Sequence, residues 1–226
     1  MLEHVLDIER NAFLWLNGGH TLYADRFFWL FSGKFVWIPL AVWILFVLCR
    51  RKDWRESLLI ILFIVLVITV CDQFASSICK PLFARFRPTH HPEFMNSVEI
   101  VSGYRGGLYG FISSHAANAF GFAVFTILLF RYRWYTVAIL LWSICFSYSR
   151  IYLGVHFISD IISGMAAGAL FGWLGYRLYV TVRHKFFKRT EDASLMYTKR
   201  EKQYILYGLF LTVLFVLIYS KITCGG

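Results

Sequence analysis

Six residues close to the ends of apolar segments are of types that handle phosphate: Lys80, Arg87, His115, Arg150, His156 and Asp160. Four positions separate His156 from Asp160, which on a helix places both on one face about a turn apart. The carboxylate can then accept the imidazole N–H, fix the tautomer and leave the other ring nitrogen as a nucleophile. A satisfied polar pair at a helix end would look the same. Lys80, Arg87 and Arg150 are the cations a phosphate needs, guanidinium forks binding two oxygens at once and lysine adding a point charge. By type alone, arginines exposed beside lipid headgroups, such as Arg85 and Arg105, fit as well. Ser113-Ser114-His115 opens an apolar run, and a helix N-terminus there offers unpaired N–H groups to phosphate oxygens. Those serines would equally serve as plain N-caps. A histidine at that point can protonate a leaving oxygen, a division of labour that requires His115 charged while His156 starts neutral.

The elements that position these groups are apolar. Of 226 residues, 58% are hydrophobic and 19% aromatic, more than a water-soluble domain carries, so the chain reads as one polytopic membrane domain over 1–226. The net charge of +10 does not indicate nucleic acid, because the basic residues cluster beside apolar runs and follow no nucleic-acid motif. Cys49, Cys71, Cys79, Cys145 and Cys224 form no CxxC pair and read as small hydrophobes. The first residues are mixed and acidic (Glu3, Asp7, Glu9), so no cleaved signal is expected.

Residues 1–24 interleave Val5, Leu6, Ile8, Phe13, Leu14 and Leu16 with charges, the pattern of an interfacial amphipathic helix ended by Asn17-Gly18-Gly19, or of a plain packing helix. Six spans follow by length and hydropathy, at about 27–49, 58–79, 111–130, 134–149, 157–182 and 204–219. The fold class expected is therefore all-α, a membrane helix bundle. Pro39 predicts a kink in the first span. Gly164, Gly168 and Gly172 predict a close helix-packing face. Arg50-Arg51-Lys52 with Arg55, Arg131 with Arg133, and the stretch from Arg183 through Lys185, Lys188 and Arg189 to Lys202 mark the cytoplasmic side. Alternation then brings the 80–110 and 150–156 loops together on the outer face, along with both termini.

Lys80-x6-Arg87-Pro88, Ser113-Ser114-His115 and Ser149-Arg150-x5-His156-x3-Asp160, in this order within 80–160, resemble the three signature motifs of the type 2 phosphatidic acid phosphatase (PAP2) superfamily. The resemblance implies a metal-independent phosphatase without cofactor. Lys80, Arg87 and Arg150 would hold phosphate together with Ser113, Ser114 and nearby N–H groups. His156 would attack phosphorus, Asp160 would orient it, His115 would protonate the leaving oxygen, and water would hydrolyse the phosphohistidine. The second motif departs from the usual Pro-Ser-Gly-His, with Ile112 at the proline and Ser114 at the glycine. The spacing leaves Arg85 and Arg105 as bystanders, and no metal is assigned to His90-His91.

A site beside the bilayer suits an amphipathic lipid with its phosphate at headgroup level. Undecaprenyl diphosphate is the first expectation, lipid A and phosphatidylglycerophosphate the alternatives, in a bacterial inner membrane with the site facing the periplasm or exterior. The partners expected are the phosphorylated lipid and the bilayer, with no nucleic acid. A small transporter would carry ionisable groups nearer mid-membrane, where only Asp72 approaches. A non-catalytic lipid-binding protein would keep the cations without the nucleophile. The superfamily also includes vanadium haloperoxidases, and six apolar spans weigh against that reading.

Overall fold

The computed structural model describes residues 2–50, 52–188 and 192–224; of the basic positions read above, Arg51 and Arg189 lie outside them. Within those residues the chain is nearly all helix, with one isolated bridge between Phe86 and Tyr109. Helix α1 (Leu2–Asn17) is followed by α2 (Leu22–Ser32), α3 (Ile38–Cys49) and α4 (Trp54–Gln73). α4 widens into a π-helical segment, Phe74–Cys79, and runs on into the short α5 (Lys80–Phe83). After the long motif loop come α6 (Ser114–Phe130), α7 (Arg133–Tyr152), α8 (Ile158–Phe187) and α9 (Lys199–Ile222).

The protein is an integral membrane helix bundle. Among the described residues, three stretches are by themselves long and apolar enough to cross a bilayer: Trp54–Phe83, Ile158–Phe186 and Lys199–Ile222. α2 with the segment Phe35–Cys49 makes a fourth, bent by 66°. The bend does not fall where proline predicted it. Pro39 stands in the first turn of α3, where its missing N–H costs nothing, and the break lies upstream around Gly33. α6, only 17 residues long, occupies the middle of the bundle, with Ala116, Ala117, Ala123 and Phe125 buried.

α6 and α8 form the spine, and the glycines set how near they come. A Cβ added at Gly164 would lie 2.6 Å from Ser113 O, at Gly168 2.2 Å from Ala117 O, and at Gly172 2.5 Å from Gly121 O. Only hydrogen fits at these positions, so the expected packing face is present and its partner is α6. Around it Ile60, Phe63, Val67, Phe125, Leu129, Ile139 and Tyr179 close the core.

The two ends of the bundle differ in chemistry. At the end holding the starts of α4 and α9 and the finish of α8, buried Glu56 accepts hydrogen bonds from Tyr179 (2.6 Å) and Arg183 (2.9 Å). Lys52 pairs there with Glu201 (3.2 Å) and Arg131 with Asp192 (2.6 Å). The opposite end carries the motif loops. α1 docks onto it: Phe13 is fully buried against Phe157, and Asn17 donates to the Tyr152 carbonyl at 2.9 Å and accepts from the Glu99 N–H at 2.8 Å. The amphipathic stretch therefore ends at Asn17, α2 begins at Leu22, and α1 packs on the end of the bundle that carries the motif loops.

Candidate active site

The three motif segments meet at one end of the bundle because α4 to α5, α6, α7 and α8 all begin or finish there. His156 lies in the turn between α7 and α8, buried to 1% exposure. Its Nδ1 faces Asp160 Oδ2 at 3.4 Å, and Arg87 Nη1 lies 3.0 Å from its Nε2. An arginine N–H only donates, so Nε2 is the acceptor and the ring proton sits on Nδ1, toward Asp160. That tautomer leaves the ring's free lone pair on the cation side. Burial, and after it the charges of Arg87, Arg150 and Lys80, hold the pKa of His156 well below the usual histidine range, keeping the ring neutral.

Asp160 is wholly buried in the first turn of α8, where its Oδ2 also caps the Phe157 N–H at 3.0 Å. Its other oxygen takes Arg85 Nη1 at 2.8 Å. Arg85 is therefore no bystander. Its guanidinium lies 4.3 Å over the Phe157 ring and reaches Glu9 of α1 at 2.7 Å. Arg105, by contrast, donates to the Thr89 carbonyl at 2.9 Å and stays outside the cluster. Gly110 presses against the same pair: a Cβ there would meet Asp160 Oδ2 at 3.0 Å and His156 Nδ1 at 3.5 Å.

The cations arrive by different routes. Lys80 follows the π-helical segment, and its Nζ donates to Ser76 Oγ (3.1 Å) and Ser114 Oγ (3.2 Å). Arg87 is fixed by its own N–H to Leu108 O (3.0 Å) and by Nη1 to Val155 O (2.9 Å). Arg150, in the last turn of α7, donates to Ser32 Oγ of α2 and to Tyr104 Oη (3.1 Å). In both arginines Nε is buried and meets no hydrogen-bond partner. A buried orphan donor costs about 1–3 kcal/mol, which anion oxygens would offset.

Ser113 is the N-cap of α6, its Oγ accepting from Ala116 N at 3.4 Å, while Ser114 Oγ faces Lys80. The capping reading thus describes the Ser113 hydroxyl, and Ser114 occupies the glycine position of the family motif without disturbing the helix start. His115 is stacked on Phe146 at 5.6 Å, Phe146 on Trp142 at 5.1 Å, and Trp37 meets Trp142 edge-on at 5.2 Å. This aromatic row leads from His115 to an apolar cavity of about 400 Å³ lined by Trp37, Leu40, Ile64, Phe122, Ile139 and Trp142.

Direct contacts thus join Arg87, His156 and Asp160, with the Ser113 N–H donating to the Asp160 carbonyl at 3.0 Å. Lys80 pairs separately with Ser114, Arg150 is held by Ser32 and Tyr104 at the same end of the bundle, and His115 stands at the start of α6. Sequence reasoning passed over Glu9, Ser32, Arg85, Tyr104 and Gly110. Of these only Arg85, two residues before Arg87 in the first motif, carried a signal that could have been weighed higher.

Comparison with known proteins agrees with this picture. The model of the PAP2 superfamily matches residues 57–184. A lipid A 4'-phosphatase of Porphyromonas gingivalis is 46% identical over 187 residues, covering 82% of this chain and 78% of the relative. A lipid A 4'-phosphatase of Bacteroides thetaiotaomicron is 38% identical over 226 residues, covering 97% and 98%. An undecaprenyl-diphosphatase of Sulfolobus acidocaldarius is 26% identical over 67% of each chain. In fold, the chain resembles the PAP2-type phosphatidylglycerolphosphate phosphatase of Bacillus subtilis, with a TM-score of 0.60 at 18% identity over 81% of this chain and 89% of the other.

Proposed function

Since the chain belongs to the PAP2 superfamily and is a membrane lipid phosphatase, we propose that it removes a phosphate from a lipid A-type glycolipid through a phosphohistidine on His156. The observation that carries the phosphate site is the pair of buried, unpartnered Nε donors of Arg87, in the motif loop, and Arg150, in the last turn of α7. The glycolipid assignment is supported by the two lipid A 4'-phosphatases at 46% and 38% identity. Undecaprenyl diphosphate, first in line from the motifs alone, has weaker support, from a relative at 26% identity over two thirds of the chain.

The chemistry runs as follows. Phosphate oxygens take the Nε and Nη donors of Arg87 and Arg150 and the Lys80 ammonium. Arg87 Nη1 then leaves Nε2 of His156, and the exposed lone pair attacks phosphorus. Asp160 stabilises the imidazolium through Nδ1–H, while the α6 N-terminus and the cations balance charge on the equatorial oxygens. His115, kept neutral by burial and by the charges of Arg150 and Arg87, takes up a proton as the phosphate dianion binds beside it. It then gives that proton to the departing sugar oxygen, and the lipid side of the leaving group lies toward the aromatic row and its apolar cavity. Water then attacks the phosphohistidine, the proton passing to His115, and releases inorganic phosphate.

The cationic loops zipped together at the far end support a site on the extracytoplasmic face of the inner membrane. Purified protein is to be given bisphosphorylated lipid A and, separately, undecaprenyl diphosphate in micelles, with phosphate release and product mass recorded. Loss of one phosphate from lipid A at a rate at least tenfold above the prenyl lipid is expected. Turnover of the prenyl lipid alone would refute the glycolipid assignment, and full activity of His156→Ala would refute the mechanism.

A further inference from the structure

We propose that Glu9, on the amphipathic helix α1, is a positioning residue: through Arg85 it holds the Asp160 carboxylate in line with His156. The inference rests on the phosphohistidine reading above. Glu9 lies outside residues 57–184, which match the superfamily, and outside all three motifs.

The Glu9 carboxylate grips two parts of the site at once. Its Oε2 accepts from Arg85 Nη2 at 2.7 Å, and its Oε1 accepts the Ser159 backbone N–H at 2.8 Å. Arg85 in turn commits Nη1 to Asp160 Oδ1 (2.8 Å) and to Ser159 Oγ (2.6 Å), with its guanidinium face on Phe157. With Oδ1 so engaged, Oδ2 is left to the Phe157 N–H and to His156. The carboxylate orientation that serves the nucleophile therefore depends on where Arg85 stands.

Arg85 stands there because Glu9 holds its outer edge. Its side chain is 26% exposed, and a cavity of about 280 Å³ opens beside it, lined by Glu9, Arg10, Ala84, Phe86, His91 and Phe157. Without the Glu9 charge the guanidinium has room to swing outward, away from Asp160, and solvent to receive it. α1 is itself pinned through Phe13 and Asn17, so Glu9 is presented from a fixed helix. The same carboxylate satisfies an N–H in the first turn of α8, which ties the turn bearing Asp160 to α1.

The test uses full-length protein in detergent micelles. Dioctanoyl phosphatidic acid serves as a probe that does not depend on the glycolipid assignment. Single-turnover quench experiments measure both the rate constant and the amplitude of His156 phosphorylation. For Glu9→Gln the rate constant is expected to fall on the order of tenfold, as for other groups that orient a catalytic ligand. The amplitude, KM and inhibition by vanadate should stay within about twofold, because the cradle of Lys80, Arg87 and Arg150 is untouched. On an Arg85→Ala background the same substitution should add nothing, since the two act in series. Asp7→Asn, exposed on the same helix, serves as the control and should behave as wild type. A wild-type rate constant in Glu9→Gln would overturn the proposal. So would a lost amplitude at unchanged rate, the mark of a purely structural role, or losses that add in the double variant. Full activity of His156→Ala, by contrast, removes the mechanism on which the proposal rests and is read separately.

Discussion

Replacing the glycines of α8 one at a time by alanine tests whether α6–α8 contact sets the geometry of the site. At Gly168 the new Cβ would lie 2.2 Å from the Ala117 carbonyl oxygen, backbone that cannot rotate away. Restoring ordinary contact there separates the helices by roughly 1 Å, in an interior packed as densely as a crystal. Overpacking of this kind costs about 1–3 kcal/mol. With backbone as the obstacle we expect about 2 kcal/mol, a fall in Tm of about 4–8 °C. The activity follows from where each glycine stands. α6 begins with Ser114 and His115, and α8 begins two residues before Asp160, so widening the crossing pulls the two halves of the site apart. A displacement of about 1 Å is worth on the order of a hundredfold in rate. Gly164→Ala, 2.6 Å from the oxygen of Ser113 itself, should lose the most activity per folded molecule. Gly172→Ala, 2.5 Å from Gly121 O but roughly 18 Å along the helix from Asp160, should lose stability while the folded fraction keeps its rate. Gly175→Ala meets a Val67 methyl at 2.3 Å, a side chain that can turn, and is the mild case. Thermal unfolding in detergent, paired with phosphate release normalised to folded protein, measures both. Wild-type Tm and rate in Gly168→Ala, or a larger loss at Gly175 than at Gly168, would refute the reasoning.

Further predictions concern the site itself. Gly110→Ala inserts a methyl against Asp160 and His156, and kcat is expected to fall about 10- to 100-fold with Tm nearly unchanged, read by steady-state kinetics beside unfolding curves. Tyr104→Phe removes a hydrogen bond to the Arg150 guanidinium, worth about 1.5–3 kcal/mol for a charged group, and should raise KM and the vanadate inhibition constant together. His156 is held neutral by burial and by Arg87, so protonation of the nucleophile should limit kcat/KM only below about pH 6.5. The same shift acts on stability. Below about pH 6.5 the unfolded chain takes up a proton that folded His156 resists, so stability falls with falling pH, and His156→Gln should flatten that slope in unfolding curves taken at pH 5 and 7. Because the cations supply the charge stabilisation, activity should persist in chelator and be inhibited by vanadate, measured as phosphate release with each added.

The motif residues were legible because their order and spacing resemble the three motifs of the superfamily; a charged type in an apolar neighbourhood described Arg85 and Arg105 as well. Helix positions followed from hydropathy, and the glycine stripe from its period. What escaped were residues whose role is set by who lies opposite. Arg85 reads like Arg105 in sequence, and only the fold puts one on Asp160 and the other on a loop carbonyl. Glu9 lies 151 positions from Asp160 and joins it through a third side chain. Gly110 stands at the foot of a loop, where glycine is unremarked until its neighbours are known. Pro39 misled for a local reason, since the first turn of a helix accepts proline without a bend.

The π-helical stretch Phe74–Cys79 gives the chain an asymmetric tolerance to changes in length. Each residue of a regular helix advances the face by about 100°, and a segment that winds wide holds one residue more than its rise requires. Lys80 stands at the end of that wide segment and donates to Ser114. Deleting one residue between 74 and 79 removes the surplus and restores a regular helix, with Lys80 and the packed face of α4 both kept near their present places. A deletion within Trp54–Gln73 has no surplus to draw on and turns one part of the helix by about 100° against the other. Loss of a residue is thus expected to be accepted beside the active site more readily than in the middle of the same helix.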